Sequence, residues 1–268
     1  MHFHLKSRAL LKISGSDAES FLQAQLSNDI HSLNQKKVQI NAYCQHQGKI
    51  IALLWVVRSN DHFFLSFPIG LLDVLKARLQ MFVIMSDVVI EDITEVYYQI
   101  GIINKTEPGA YKINDSQSLV LSESISEFDQ KLEPNDSWDK VCIDSCLPEV
   151  FLETSEMLVP QMLNLDINEL GVNFSKGCYP GQEVVARLHY LGKAKRRLYT
   201  FMSDSEMKVG DAVISEASKS SKASGLIINT VKYKSNFYCL ATLEVAFKDQ
   251  KVTLKDENGP TLKRINNE

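Results

Sequence analysis

The sequence predicts an α+β protein in which a region of mixed strands and helices precedes an all-β region. Two amphipathic helical segments lie among strand-like runs in the first part of the chain, whereas only short strand-like runs follow Gly192. The length of 268 residues is long for one domain and indicates two or three. Hydrophobic residues make up 44% of the chain, which is enough for a sizeable core without disulfide bonds.

Runs of apolar and β-branched residues predict six strands in the first region. Glycine, proline and polar residues separate these runs, as is typical between strands. The strands are expected at residues 9–13, 38–43, 50–57, 62–67, 88–90 and 97–103. The polar stretch that follows, residues 104–139, is expected to form short strands and loops.

Two helices are expected between these strands. Ser16 with Glu19 three residues later is a capping-box pattern, which predicts a helix beginning at Ser16. The second helix is predicted at residues 69–82, where apolar side chains recur every three or four residues and form one buried face. Those side chains are Leu71, Leu75, Leu79 and Phe82.

The chain after Gly192 consists of short strand-like runs between glycine, serine and asparagine turns. The expected strands cover residues 197–202, 211–214, 226–231, 237–247 and 251–254. This spacing is typical of a compact β-barrel or β-sandwich.

Composition limits the compartment and the partners. The net charge of -4 lacks the overall basic excess that is typical of nucleic-acid-binding proteins. The five cysteines are odd in number and scattered, and the sequence shows neither a secretory signal nor an apolar run long enough to span a bilayer. We therefore expect reduced thiols, a cytoplasmic location and no membrane contact.

The segment KGCYPGQEVVAR, residues 176–187, is the strongest candidate for chemistry. Its glycines and proline predict an irregular loop that leads into a helix, with Pro180 in the first helical turn. Cys178 would precede the helix start, where exposed N–H groups and the nearby Lys176 favour a thiolate. Alternatively, Cys178 is a small buried core residue, because free cysteine is among the most buried residue types. The residues alone leave both interpretations open.

The same segment closely resembles the signature K-G-C-Y-x-G-Q-E of the YgfZ family, which is related to T-protein, the aminomethyltransferase of the glycine cleavage system. The matching residues are Lys176, Gly177, Cys178, Tyr179, Gly181, Gln182 and Glu183. Arg187 completes the segment, and it lies four residues after Glu183, a spacing at which two charges can pair on a helix.

The similarity extends to other parts of the chain. Residues 13–30, ISGSDAESFLQAQLSNDI, resemble the family's opening G-x-D-x-x-x-F-x-Q-x-Q segment. Residues 43–50, YCQHQGKI, resemble its C-D-x-x-G-[KR] turn, with Gln45 in place of the usual acid. Residues 159–183 run parallel to the family's segment before and through the cysteine, and the basic run GKAKRR resembles its G-x-x-K-R sequence.

The resemblance implies a T-protein-like ring of three domains around a central opening. A discontinuous folate-binding domain is expected at residues 1–47 and 139–194, with an inserted ferredoxin-like domain at residues 48–138. A C-terminal β-barrel is expected at residues 195–268. Tetrahydrofolate is the expected cofactor, bound in the opening.

The resemblance also implies a folate-binding accessory protein rather than a classical enzyme. Such a protein supports the assembly or maintenance of iron–sulfur enzymes, including those that thiolate tRNA, through Cys178. Iron–sulfur client enzymes are then the expected protein partners, and the acidic composition argues against direct binding of tRNA. The alternative is a folate-dependent aminomethyltransferase, which needs a carboxylate at the folate nitrogens. Residues 50–60, where the family resemblance places that acid, contain none.

Two further residues are expected at the folate. Trp138 corresponds to a family tryptophan linked to folate binding, and an indole can stack on a flat pteridine ring. Loss of this side chain is then expected to weaken binding while leaving the fold intact, whereas the alternative is a tryptophan packed between two domains. Arg8 stands where the family has another folate-associated tryptophan. It could stack on the ring, pair with a folate carboxylate or be solvated.

No metal site is expected. Cys142 and Cys146 are four residues apart, which is not a zinc-binding pattern, and Cys44 and Cys239 lie in strand-like runs and are expected to be buried.

A basic run follows the signature segment. Lys193, Lys195, Arg196 and Arg197 lie close to Tyr190 in the sequence. Such a run is often just the solvated start of a strand, but it could also contact an RNA phosphate or the polyglutamate tail of folate. Between these two ligands, a net-acidic chain favours a small anion over RNA.

Overall fold

The computed structural model describes residues 1–105, 107–128, 131–219 and 222–265. Within these residues the chain forms three antiparallel sheets and four α-helices. None of the described helices is long and apolar enough to cross a membrane.

The first sheet is built from strands close to those predicted. They are β2 (Arg8–Ser14), β3 (Gln39–Cys44), β4 (Ile50–Ser59), β5 (His62–Pro68) and β6 (Val89–Asp92), in the spatial order β3–β4–β5–β2–β6. Alternate side chains of β4 enter two different cores, since Trp55 belongs to one and Leu54 to the other. Both faces of β4 are therefore covered, which explains its continuous apolar run.

Helices α1 (Ala18–Gln25) and α2 (Leu72–Gln80) cover one face of this sheet. The capping box predicted at Ser16 is wrong, because α1 begins two residues later. The Ser16 hydroxyl donates to the Asp87 carboxylate at 2.8 Å, and Glu19 accepts two hydrogen bonds of 2.9 Å from Arg58. Tertiary partners have thus replaced the local cap.

The second predicted helix is shorter than expected. Leu71, Leu75 and Leu79 are fully buried as predicted, but α2 ends at Gln80 and Phe82 is 51% exposed. A single turn of 3-10 helix at Ile69–Leu71 precedes α2.

The second sheet has the order β1–β7–β9–β8. Its strands are β1 (His2–His4), β7 (Tyr98–Ile103), β8 (Tyr111–Lys112) and β9 (Gln117–Ser122). Helix α3 (Asp136–Asp144) packs on this sheet, and Gly101 makes the contact possible because a Cβ there would lie 2.7 Å from the Trp138 ring. The sequence pattern did not predict β1, whose pairing with β7 spans about 100 residues of chain.

The third sheet is the predicted C-terminal β-barrel, and it is closed. Its strands are β10 (Arg196–Ser203), β11 (Ala212–Ser215), β12 (Gly225–Tyr233), β13 (Asn236–Glu244), β14 (Val252–Leu254) and β15 (Thr261–Ile265). The strand β15 was not predicted, although its pairing with both β10 and β14 completes the barrel.

One large apolar cluster joins the three sheets. It contains Trp55 from the first sheet, Trp138 from α3, and Ile228 and Leu240 from the barrel. The hairpin of β3 and β4 spans the boundary expected between residues 47 and 48, so that boundary lies inside one sheet. The division of the chain into three domains stays a proposal.

Candidate functional site

The signature segment forms an irregular loop that leads into helix α4 (Gln182–Leu191). The predicted change from loop to helix is therefore present. Pro180 lies two residues before the first helical residue rather than in the first turn, because Gly181 occupies the N-cap position. Glu183 and Arg187 are both exposed, and no ion pair joins these two described residues.

The loop packs against the turn between β3 and β4. Gly181 has φ +81°, and a Cβ at this residue would lie 2.4 Å from the Gln45 carbonyl oxygen and 2.7 Å from the Gly48 nitrogen. Gly48 also has a positive φ, of +75°. Close backbone contact thus requires glycine at position 181, and the positive φ favours glycine at position 48. Two segments that resemble the family, about 130 residues apart, form one packed unit.

Lys176 anchors the loop to the end of α1. Its ammonium group donates to the carbonyl oxygens of Gln23, Leu26 and Asn28 at 2.7, 2.5 and 2.9 Å. Carbonyls at a helix C-terminus lack intrahelical partners, and a buried cation satisfies them. Burial lowers the pKa of Lys176 to about 8. All three ammonium hydrogens are used here, so Lys176 fixes the loop and has none left to donate to Cys178.

Cys178 is the exposed cysteine of the five, and its burial as a core residue is excluded. Cys44 and Cys239 are buried as predicted, and burial raises the pKa of each thiol to about 12. Cys142 and Cys146 are half-buried, and burial also raises the pKa of Cys142. The signature loop therefore presents the most accessible thiol of the chain.

A separate cavity of about 150 Å³ lies where the first sheet, α3 and the barrel meet. Its wall includes both residues expected at the folate, Arg8 and Trp138. The other polar residues of the wall include Ser7, Asn135, Asp139, Glu149, Asn229 and Thr230.

Arg8 is buried at the wall of the cavity, so the solvated alternative is wrong. Its Nε donates to the Ser66 hydroxyl at 2.7 Å and its Nη2 to the Ser66 carbonyl at 3.0 Å, while Nη1 donates to the Glu149 carboxylate. The guanidinium also lies 3.7 Å from the centroid of the Trp55 ring. These contacts hold Arg8 and Glu149 in fixed positions.

Two buried polar atoms at the cavity have no partner among the described residues. They are Oε2 of Glu149 and Oγ1 of Thr230. Desolvation raises the pKa of Glu149, and the charge and hydrogen bond of Arg8 oppose this shift. Because buried polar groups are nearly always hydrogen-bonded, these atoms mark the cavity as a place where a polar ligand fits.

Asp139 stands beside this pair. Burial raises the pKa of Asp139 to about 6, the charges of Glu149 and Asp136 act in the same direction, and Arg8 opposes them. The side chain keeps contact with solvent, so water screens part of these interactions. Asp139 can thus change its charge near neutral pH.

Comparisons with known proteins decide the family. The chain is 31% identical over 229 residues to the tRNA-modifying protein YgfZ of Colwellia psychrerythraea, a match that covers 73% of this chain and 69% of that protein. The chain belongs to the YgfZ family. A second YgfZ, from Aliivibrio fischeri, is 25% identical over 260 residues and is matched over 87% of this chain and 81% of its own length.

The solved structure of the glycine cleavage system aminomethyltransferase T from Bartonella henselae has the same fold. The TM-score is 0.72 at 10% identity, and the match covers 98% of this chain and 84% of that chain. The predicted T-protein-like fold is thereby confirmed. No family model matches the chain.

Trp138 of this YgfZ-family chain is a core residue as well as a wall of the cavity. It is only 3% exposed, and its ring lies 5.9 Å from the Phe3 ring and 6.3 Å from the Trp55 ring. The tryptophan thus packs between sheets. Its removal would leave a large void, so we now expect its loss to destabilise the fold rather than to spare it.

Glu149, Asn229 and Thr230 were not among the residues predicted for the site. Glu149 is the one charged residue in the apolar segment LPEVF, and such an isolated acid is a signal that could have indicated a buried functional carboxylate. Asn229 and Thr230 lie on β12 of the barrel, and no local pattern distinguishes them.

We predict that Gly181→Ala misplaces the YgfZ signature loop. The new Cβ would clash with backbone atoms of Gln45 and Gly48, and its positive φ is strained for alanine, at a cost of about 1–3 kcal/mol. In cells that lack the protein, the variant should restore less function than the unchanged chain does, although Cys178 is still present. Gly177→Ala is the matched control, because a Cβ there meets nothing within 4 Å. Thermal melts and complementation assays of both variants check the prediction, and equal behaviour of the two would contradict it.

Proposed function

We propose that this YgfZ-family protein binds tetrahydrofolate in the cavity and supports iron–sulfur enzymes, including enzymes that thiolate tRNA, through the thiol of Cys178. The observation that carries the folate proposal is the pair of unpartnered buried atoms, Glu149 Oε2 and Thr230 Oγ1, on the wall of the cavity. The name of the relatives, tRNA-modifying protein YgfZ, supports the link to tRNA.

The residues of the cavity fit the pterin ring of a folate. A pterin has a flat apolar face and an edge with N–H donors, so it needs an apolar wall and nearby acceptors. Ile143, Leu147 and Phe151 supply apolar wall, and the carboxylates of Asp139 and Glu149 supply acceptors. Tetrahydrofolate, when bound, would carry a one-carbon unit on its nitrogens.

The chain's own residues then bind and orient the ligand. Arg8 fixes one oxygen of Glu149 and leaves the other to accept a hydrogen bond. Thr230 offers a hydroxyl from the barrel, and Asp139 can hold or release a proton near neutral pH.

All five cysteines are free, which fits a reducing compartment, and we propose the cytoplasm.

We predict that folate affinity falls as the pH drops through about 6. Protonation of Asp139, whose pKa is raised to about 6, converts a charged acceptor into a neutral acid. Asp139→Asn should weaken binding above this pH by about tenfold to a hundredfold, in line with the strength of a hydrogen bond to a charged group, and should flatten the pH dependence. Asp144→Asn, an exposed change on the same helix, is the control, because Asp144 is not among the charges that shift the pKa of Asp139.

Isothermal titration calorimetry of the three proteins between pH 5 and 8 measures the folate affinity. The highest ligand concentration is about millimolar, because weaker binding is not resolved by such a titration. Absence of binding by the unchanged protein would refute the folate proposal. Binding with an unaltered pH profile in Asp139→Asn would remove Asp139 from the site.

The aminomethyltransferase alternative gains support from the same carboxyl group. Residues 50–60 lack an acid, but Asp139 reaches the cavity from α3 and has the pKa expected of a general acid or base. An activity assay with aminomethylated carrier protein and tetrahydrofolate decides between the two functions. Turnover that Asp139→Asn abolishes would favour the transferase, whereas saturable folate binding without turnover favours the accessory protein.

A further inference from the structure

A groove between the end of α4 and the barrel gathers basic side chains. We call it the basic groove and define it by His189, Lys193, Arg197, Lys248 and Arg264. Its volume is about 510 Å³. Lys248 and Arg264 come from the barrel, more than 50 residues after Lys193, so the cluster exists only in the folded chain.

Two of these cations have no anionic partner. Asp166 holds Arg197 through two hydrogen bonds of 2.5 and 3.0 Å, and Asp249 pairs with Arg264 at 3.0 Å. Lys193 and Lys248 are exposed, and neither ammonium group forms an ion pair with a carboxylate in the described part of the chain. The groove is therefore locally positive in a chain whose net charge is -4.

Stacked aromatic rings stand at the rim of the groove. The rings of Phe174 and His189 are stacked at 3.8 Å with an interplanar angle of 17°. Tyr190 meets His189 edge-on at 4.8 Å and is itself 66% exposed. His189 also lines the basic groove, so an exposed tyrosine on a stacked aromatic pair adjoins a groove with unpaired cations, a combination that binds single-stranded nucleic acid.

The wall of the groove also contains an unpartnered acceptor. Gln161 is 1% exposed, and its Nε2 donates to the Val185 carbonyl at 2.7 Å. Its Oε1 is buried and has no partner among the described residues. A sugar hydroxyl or a base amino group can donate to this oxygen, whereas a bare inorganic anion or a carboxylate cannot.

We propose that the basic groove binds a single-stranded nucleic acid, with phosphates at Lys193 and Lys248 and a base on the Tyr190 ring. The sequence favoured a small anion here, but a small anion uses neither the exposed ring nor the Gln161 acceptor. None of these residues lines the folate cavity. The proposal therefore goes beyond the proposed function, and each can fail without the other.

Fluorescence anisotropy of the full chain, with and without folate, tests the proposal. The probes are a labelled RNA of about twelve nucleotides, within the usual site size, the DNA of the same sequence, and a glutamate-rich peptide. We expect the affinity of the oligonucleotides to fall with salt. Lys193→Ala with Lys248→Ala should reduce the slope of log K against log salt by about 1.4, since each lost contact with a single strand contributes roughly 0.7.

Two further changes separate the parts of the site. Tyr190→Ala should weaken oligonucleotide binding by about tenfold, as expected for one stacked base, and Tyr190→Phe should retain it. Lys36→Ala with Lys232→Ala removes two exposed lysines outside the groove and should leave binding unchanged. Tighter binding of RNA than of DNA would identify RNA as the ligand, and tighter binding of DNA would identify DNA.

Three results would overturn the proposal. One is absence of salt-dependent binding of either oligonucleotide. Another is equal loss of binding in the two double-lysine variants. The third is preferential binding of the acidic peptide with no effect of Tyr190→Ala, which would make the groove a protein-docking surface instead.

Discussion

Cys178→Ser is expected to abolish complementation of iron–sulfur enzyme activity in cells that lack the protein, while the free energy of unfolding changes by no more than about 0.5 kcal/mol. The side chain is exposed, so serine neither buries a hydroxyl nor leaves a void. The loop itself is held by Lys176 and by the contact between Gly181 and Gly48, and the substitution touches none of these. A loss of function without a loss of stability would assign the thiol a chemical role.

Timed alkylation with mass spectrometry provides an independent measurement. Burial raises the pKa of Cys44 to about 12, which lowers its thiolate fraction about a thousandfold or more below that of an ordinary cysteine. Cys178 should therefore be labelled first. Cys44→Ser is the matched control. It should lower the free energy of unfolding, and complementation should fall only in proportion to the amount of folded protein. Full complementation by Cys178→Ser, or slower labelling of Cys178 than of Cys44, would remove the thiol from the mechanism.

Trp138→Ala is expected to lower the free energy of unfolding by about 3–5 kcal/mol, the usual cost of truncating a buried tryptophan. The ring is 3% exposed and lies between Phe3, Trp55 and Gly101, where the apolar cluster joins the three sheets. Alanine would leave a void that the close approach of Gly101 cannot fill.

Urea denaturation of Trp138→Ala beside Trp138→Phe measures this cost. Phenylalanine keeps most of the aromatic contacts, so Trp138→Phe should lower the free energy of unfolding clearly less than Trp138→Ala does. Folate affinity of the phenylalanine variant then reports on the cavity wall without unfolding the chain. A stability of Trp138→Ala close to that of the unchanged protein would show that the tryptophan contributes little to the shared core.

Sequence patterns located most elements of the fold because their causes are local. The strand β4 follows from a continuous apolar run, and β2 and β5 follow from apolar runs that single polar residues interrupt. The loop before α4 follows from glycines and a proline. The strands β1 and β15 escaped prediction because each is short and is stabilised by a partner that is distant in the chain or in another part of the barrel. The capping box at Ser16 failed for a related reason, since Asp87 and Arg58 bind its two side chains.

The sequence by itself determined the family, the T-protein-like fold, the C-terminal barrel and the signature cysteine as the leading candidate for chemistry, while it left the burial of that cysteine open. Only the tertiary structure decided what surrounds these features. It places Lys176 against the end of α1, brings Glu149 to Arg8, and collects unpaired lysines in the groove that His189 lines. These contacts join residues that are tens to more than a hundred positions apart. Local periodicity and turn chemistry depend only on neighbouring residues. They therefore cannot predict contacts between distant residues, which form only when the sheets pack together.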